Sequence, residues 1–135
     1  MKPARAEYDA VQRQKSLLEG ITGDDWWTDI GGRVYLEAQG DEKPPAHIWL
    51  EAIATDAAEW VDNISITWQA VLPLTGDDSM PALDVLADMR AALTSECAMG
   101  GDTEAGSTIQ FRQQGGNYAA VSITISSQAA VNGRA

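Results

Sequence analysis

Between Asn63 and Leu72 the chain reads NISITWQAVL, and this stretch decides the fold class. Apolar and polar side chains alternate along it. Such a period of two is typical of a β-strand with one buried side in an antiparallel sheet. The side chains expected on the buried side are Ile64, Ile66, Trp68, Ala70 and Leu72.

Four other stretches also predict strands, from alternation or from apolar runs bounded by Gly and Pro. In the second of them Ile48 and Leu50 alternate with Trp49 and Ile53, so we expect apolar side chains on both faces. The last two flank a Gly115-Gly116-Asn117 turn and predict a hairpin. In this hairpin the expected inward residues are Ile109, Phe111, Ala119, Val121, Ile123 and Ile125. The four stretches are residues 33–38, 47–54, 108–113 and 118–126.

Residues 4–19 predict a first helix, which Gly20 ends. Its apolar stripe is narrow because Gln14 and Lys15 interrupt it. The apolar positions at roughly helical spacing are Tyr8, Val11 and Leu18.

A second helix is predicted from Ser79, as its cap, to about Met99, before Gly100-Gly101. Pro81 is tolerated in the first turn. Its apolar stripe is wider than that of the first helix and faces the core. The stripe consists of Ala82, Leu86, Met89 and Leu93, widened by Val85 and Ala92.

The element order is therefore α-β-β-β-α-β-β, which predicts an α+β fold. We expect a single antiparallel or mixed sheet with both helices on one face, because that arrangement buries every stripe. One domain over residues 1–127 accommodates all the elements. Residues 128–135 have no periodicity and are predicted to form a mobile C-terminal tail.

The charge is strongly acidic, with 9 Lys and Arg against 20 Asp and Glu and a net charge of −11. Nucleic acids and anionic membranes attract clustered Lys and Arg, so specific binding to either is not expected. An acidic surface can let DNA slide past without sticking. It can equally serve only to keep a small protein soluble.

Cys97 is the sole cysteine, so no disulfide within the chain and no cysteine-based metal cluster are expected. The N-terminal residues lack the apolar run of a signal peptide, and no stretch approaches a membrane span of about 20 apolar residues. We expect a protein that stays where it is made or leaves inside something larger.

The sequence predicts no catalytic, cofactor-binding or metal site. His47 is expected to be exposed at the start of its strand, without a second His or Cys to share a metal. The acidic neighbour Glu96 makes Cys97 a poor nucleophile. The pairs Asp24-Asp25 and Asp77-Asp78 could bind a divalent cation, but their spacing is not that of a calcium loop.

Aromatic side chains exceed what one small core needs, since the chain has five Trp. An aromatic sheet face that is poor in Lys and Glu resembles the centre of a protein–protein interface. In the alternative, Trp26, Trp27 and the Thr55–Asp62 loop simply cover that face. Tyr35 and Trp49 are expected on the face opposite the helices. The candidate interface residues are Trp26, Trp27, Tyr35, Trp49 and Trp60.

The layout resembles the tail terminator proteins of long-tailed bacteriophages, the minor tail protein U family. The best local match runs from Ile64 to Pro73, a long alternating strand that ends at a Pro, and continues into the helix from Met80 to Leu93. The early strands, from Arg33-Val34-Tyr35 and Pro44 to Leu50, and the final strand, from Tyr118 to Ser126, fit in position. The resemblance covers nearly the whole chain, apart from the tail after Gln128.

The resemblance implies a homohexameric ring on the head-proximal end of the tail tube. Such a ring would stop tube polymerisation and join the tail to the neck of the head. Its partners would be other copies of itself, the tail tube protein and a head-neck connector, with DNA passing through an acidic lumen. The protein would then be a non-enzymatic part of the virion, assembled in the host cytoplasm.

Three alternatives remain open at this stage. The chain could be another neck or tail-completion protein of a phage. It could be a monomeric acidic adaptor or inhibitor that binds another protein through its aromatic surface. It could also be a small metal-dependent enzyme that uses the two Asp pairs.

Overall fold

A computed structural model describes residues 5–21, 34–36, 47–57, 61–73, 80–100, 103–112 and 118–130. It contains two helices and five strands in the predicted order. The helices are α1 (Arg5–Glu19) and α2 (Met80–Gly100). The strands are β1 (Val34–Tyr35), β2 (His47–Ala57), β3 (Val61–Pro73), β4 (Thr103–Arg112) and β5 (Tyr118–Ala130).

The five strands form one mixed sheet in the order β1-β2-β3-β5-β4. Strand β1 runs parallel to β2, and every other neighbouring pair is antiparallel. The sheet is centred on β3 and β5, whose ladder runs from Val61↔Ala130 to Pro73↔Tyr118. The fold class predicted from the alternation in residues 63–72 is thereby confirmed.

One side of the sheet forms the core with both helices. All five predicted inward residues of β3 are at most 1% exposed. The predicted inward residues Ala119, Val121, Ile123 and Ile125 of β5 are buried beside them, and Ile109 of β4 packs against the same cluster. Because residues of α1 and α2 join this one cluster, the helices share one face of the sheet, as expected.

Helix α1 buries a different set of residues from the predicted stripe. Val11 and Leu18 are buried as expected, but Tyr8 is 55% exposed. Gln14 was expected to interrupt the stripe and instead lies fully buried within it. The reason is a hydrogen bond, since the indole Nε1 of Trp68 donates to Gln14 Oε1 at 3.0 Å. The helix ends as predicted at Gly20, whose N–H donates to the Leu17 carbonyl.

Helix α2 matches its predicted stripe closely. Ala82, Val85, Met89 and Leu93 are buried, and Leu86 and Ala92 pack against them with partial exposure. The opposite side of the helix includes Leu83, which is 47% exposed. The spacing i, i+4, i+7 therefore identified the buried side of this helix correctly.

Strand β2 contains a β-bulge that the sequence reasoning missed. Leu50 pairs with Trp68 and Ala52 pairs with Thr67, so Glu51 is the extra residue. Beyond the bulge Ile53 pairs with Ile66 and therefore lies on the helix side of the sheet. The expectation that Ile53 shares a face with Trp49 is wrong, because the extra residue reverses the alternation.

Several strands are longer than predicted, and β5 changes the predicted domain boundary. Strand β5 continues to Ala130 and pairs there with the start of β3. Residues 128–130 therefore belong to the sheet and not to a mobile tail, while residues 131–135 lie outside the described part. The predicted turn at Gly115-Gly116-Asn117 lies outside it as well.

Candidate interaction surface

The sheet side opposite the helices carries two of the five candidate side chains, Tyr35 and Trp49. We call it the polar face, because hydroxyl and amide groups line its centre. The hydroxyl and amide residues at the centre of β3 and β5 are all partly exposed. They are Ser65, Thr67 and Gln69 on β3 and Ser122, Thr124 and Ser126 on β5.

Tyr35 and Trp49 lie together on this face, as the sequence predicts. They are register partners in the parallel β1–β2 pair, and their neighbours Val34 and Ile48 are buried on the helix side. Both aromatic side chains are half-buried. The Trp49 indole Nε1 donates to Gln69 Oε1 at 3.2 Å. Trp49 is therefore anchored within the chain by a polar contact.

A small hydrogen-bond network surrounds Trp49. Gln69 Nε2 donates to Glu51 Oε2 at 3.4 Å and to Ser122 Oγ at 3.3 Å. Ser122 Oγ donates to the same Glu51 oxygen at 3.3 Å. The bulge residue Glu51 thus adds one carboxylate to the network around Trp49, on a face that the sequence predicts to be poor in Lys and Glu.

Paired hydroxyl groups continue the polar face along β3 and β5. Thr67 Oγ1 and Thr124 Oγ1 are 2.9 Å apart, and Ser65 Oγ and Ser126 Oγ are 3.4 Å apart. Cross-strand hydroxyl pairs of this kind stabilise a sheet by about 0.2–1 kcal/mol each. These groups partly satisfy one another across the strands, so the centre of the polar face lacks the apolar character of an interface core.

His47 is buried, with 4% of its surface exposed, and the expectation of an exposed histidine is wrong. The Tyr35 ring packs edge-on against it, with centroids 6.2 Å apart and planes at 64°. In the same row across the sheet, His47 pairs with Val71 and Val71 pairs with Ala120, which is also buried. In this row His47 and Ala120 are therefore buried, while Val71 between them is partly exposed.

The other three candidate interface residues, Trp26, Trp27 and Trp60, lie outside the described residues. Of the five candidates, the structure describes Tyr35 and Trp49, and these two lie together. The alternative that a Thr55–Asp62 loop covers the face gave this loop the wrong bounds. Residues 55–57 belong to β2 and residues 61 and 62 to β3, so the connection between these strands is only residues 58–60.

The most exposed part of the sheet was not predicted. Every residue from Glu51 to Asp56 is exposed, although each of them from Ala52 onward is paired with β3. Ile53 is 45% exposed while its register partner Ile66 is fully buried. The sequence does hold a signal for this change, since the apolar spacing in β2 goes from two residues (Ile48, Leu50) to three (Ile53). An odd step of this kind indicates a bulge.

One kind of site, a metal centre, can be judged in the part of the chain that the structure describes. Within it, no three His, Cys, Asp or Glu side chains are grouped so that they could hold a metal ion. Cys97 belongs to α2, but its side chain is outside the description, as are both Asp pairs. Neither described helix combines the length and apolar character needed to cross a membrane.

Comparison of the sequence with models of known protein families finds no matching family, and comparison with curated proteins finds no significant relative.

Proposed function

We propose that this protein is a tail terminator of a long-tailed bacteriophage. It would form a ring, a homohexamer in our proposal, on the head-proximal end of the tail tube. There it would stop tube polymerisation and present a surface to the neck of the head. Its partners would be further copies of itself, the tail tube protein and a head-neck connector.

The observation that carries the proposal is the architecture. The described elements follow the order α-β-β-β-α-β-β and form one mixed sheet with both helices on one side. The element order is the one that the resemblance to tail terminators implies. Because one fold can serve several functions, the architecture supports the proposal by analogy and does not establish it.

Two physical features agree with a ring around DNA. The sheet has two unlike outer regions, the exposed half of β2 at one side and β4 at the other, and a ring requires contacts between unlike surfaces. The net charge of −11 would keep passing DNA from binding to the lumen.

The first test is the solution mass, measured by light scattering behind a sizing column over a wide range of protein concentration. We expect a hexamer, or a monomer that becomes a hexamer on concentration. Negative-stain electron microscopy should then show rings with a central channel. Closed dimers or irregular aggregates would contradict the ring.

A second test addresses the function directly and does not depend on assembly in solution. When the gene is deleted from the phage or prophage that carries it, we expect tails of uncontrolled length, because nothing stops the tube. A plasmid copy should restore uniform tails. Normal, infectious virions without the gene would contradict the proposal and favour the acidic adaptor.

A further inference from the structure

The second half of β2 is exposed, whereas the residues of β3 that pair with Ala52 to Asp56 are buried or only partly exposed. We call residues 52–57 the outer β2 segment. Its pairing with β3 is regular, from Ala52↔Thr67 to Ala57↔Asp62. On its other side the described pairing with β1 ends at Trp49, before the segment begins. Thr55 Oγ1 donates to Glu7 Oε1 of α1 at 2.9 Å, and Ala52 through Asp56 are all exposed beside the described part of the chain.

An exposed strand edge presents backbone N–H and C=O groups that can pair with another strand. Natural proteins usually protect such edges with Lys, Pro or a bulge. The outer β2 segment reads AIATDA and contains neither Lys nor Pro, and the bulge at Glu51 lies before it. Ala52 and Ala54 are small, so a second strand could approach closely. The segment therefore has the properties of a site for strand addition.

The opposite side of the sheet ends in β4, which pairs with β5 alone among the described strands. Gly106, Thr108 and Gln110 are exposed along it. No charged residue occurs from Ala105 to Phe111, and Arg112 follows directly. Each copy of the chain thus carries two different strand edges, one at each side of its sheet.

Charge decides which edge suits the outer β2 segment. If two copies of β2 paired with each other antiparallel about the point between Ile53 and Ala54, Glu51 of each copy would lie opposite Asp56 of the other. Like charges directly opposite each other destabilise a strand pair. The uncharged middle of β4 avoids this repulsion, and Arg112, the residue that follows it, has a charge opposite to that of Glu51 and Asp56.

Strand direction favours the same choice. Successive antiparallel pairs from β2 through β3 and β5 make β4 antiparallel to β2 within one chain. A second copy that places its β4 beside β2, with its helices on the same side, continues the antiparallel alternation. Repeating this contact extends one sheet from copy to copy. Because the sheet twists, such a contact can close into a ring.

We propose that the outer β2 segment of one copy pairs with β4 of a second copy. The inference rests on the proposed ring and names the surfaces that close it. The occupant of the β2 edge is thus another copy of this chain, which presents its opposite edge.

Mixed cross-linking tests this contact. In a Cys97→Ser background, one batch carries Ala54→Cys and another carries Thr108→Cys. Both positions are exposed and both belong to the polar face, since Ala54 pairs with Ser65 and Thr108 with Ser122. A short thiol-specific cross-linker should give covalent dimers in the mixture and few in either batch alone. Ala87→Cys, on the exposed side of α2, should not cross-link to Ala54→Cys.

A charge variant gives a second, independent readout. Ala54→Lys adds an edge-protecting Lys at an exposed position and should weaken association about tenfold or more, as measured by light scattering. Ala87→Lys is the matched control, because it makes the same change at an exposed position of α2, and it should leave association unchanged. Thermal unfolding should show that both variants remain folded.

The possible failures are distinguishable. Rings by mass and microscopy without the mixed cross-link would overturn the strand contact and leave the tail terminator proposal standing. Cross-links within the Ala54→Cys batch alone would mean that β2 pairs with itself, which also overturns the contact. A monomer without cross-links at every concentration overturns the contact in solution, and the deletion phenotype then decides the function separately.

Discussion

Gln14 and Trp68 form a polar pair inside an otherwise apolar core. Both side chains are fully buried, and the indole N–H donates to the amide oxygen. The amide nitrogen of Gln14 has no hydrogen-bond partner among the described residues. A buried polar group without a partner costs about 1–3 kcal/mol. The contribution of Gln14 to the free energy of unfolding therefore depends on its hydrogen bond with Trp68.

This dependence can be measured with a double-mutant cycle. In a Trp68→Phe background both ends of the Gln14 amide lack a partner, so adding Gln14→Leu should raise the free energy of unfolding by about 1–3 kcal/mol. In the wild-type background Gln14→Leu strands the indole N–H, so the gain should be smaller or reversed. Urea unfolding at a fixed protein concentration gives the values. Equal effects in the two backgrounds would mean that the pair is not coupled.

At the scale of elements, α2 and β2 differ in how well the spacing of apolar residues predicted the buried side. Helix α2 keeps one period along its length, and its buried side was predicted residue by residue. Strand β2 changes face at Glu51, so a strict period of two assigned Ile53 to the wrong side. A single extra residue has this effect because side chains in a strand alternate.

Two leucines of α2 test the assignment of its faces. Leu93→Ala should lower the free energy of unfolding by about 2–5 kcal/mol, because it leaves a cavity in the core. Leu83→Ala makes the same chemical change at a position that is 47% exposed, and its effect should stay within about 0.5 kcal/mol. Chemical denaturation followed by circular dichroism measures both. Comparable losses would show that Leu83 is packed in the assembled protein.

At the scale of the whole molecule, the net charge of −11 opposes assembly. Copies that gather in a ring repel one another through their shared sign of charge. The proposed strand contact is mainly backbone pairing, so salt should screen the repulsion without disrupting the contact. The same negative charge that would keep DNA from binding in a lumen would therefore lower the association constant of the ring.

Raising the ionic strength from about 20 mM to about 500 mM shortens the Debye length from about 20 Å to about 4 Å. We therefore expect the association constant to rise, as measured by light scattering at several protein concentrations. Asp84→Lys, at an exposed position of α2, replaces a negative by a positive charge and should flatten this dependence. An association constant that falls with salt would point instead to contacts between opposite charges.

The sequence by itself determined the fold class, the element order and the buried sides of β3, β5 and α2. Those features depend on local periodicity, which records whether each side chain faces water or the core. Only the tertiary structure decided that β1 pairs in parallel, that Gln14 belongs to the core and that His47 is buried. Each of these depends on a partner distant in sequence, such as Trp68 for Gln14. The exposed edge of β2 is also a feature that only the tertiary structure decided, because an edge is defined by the strands that surround it.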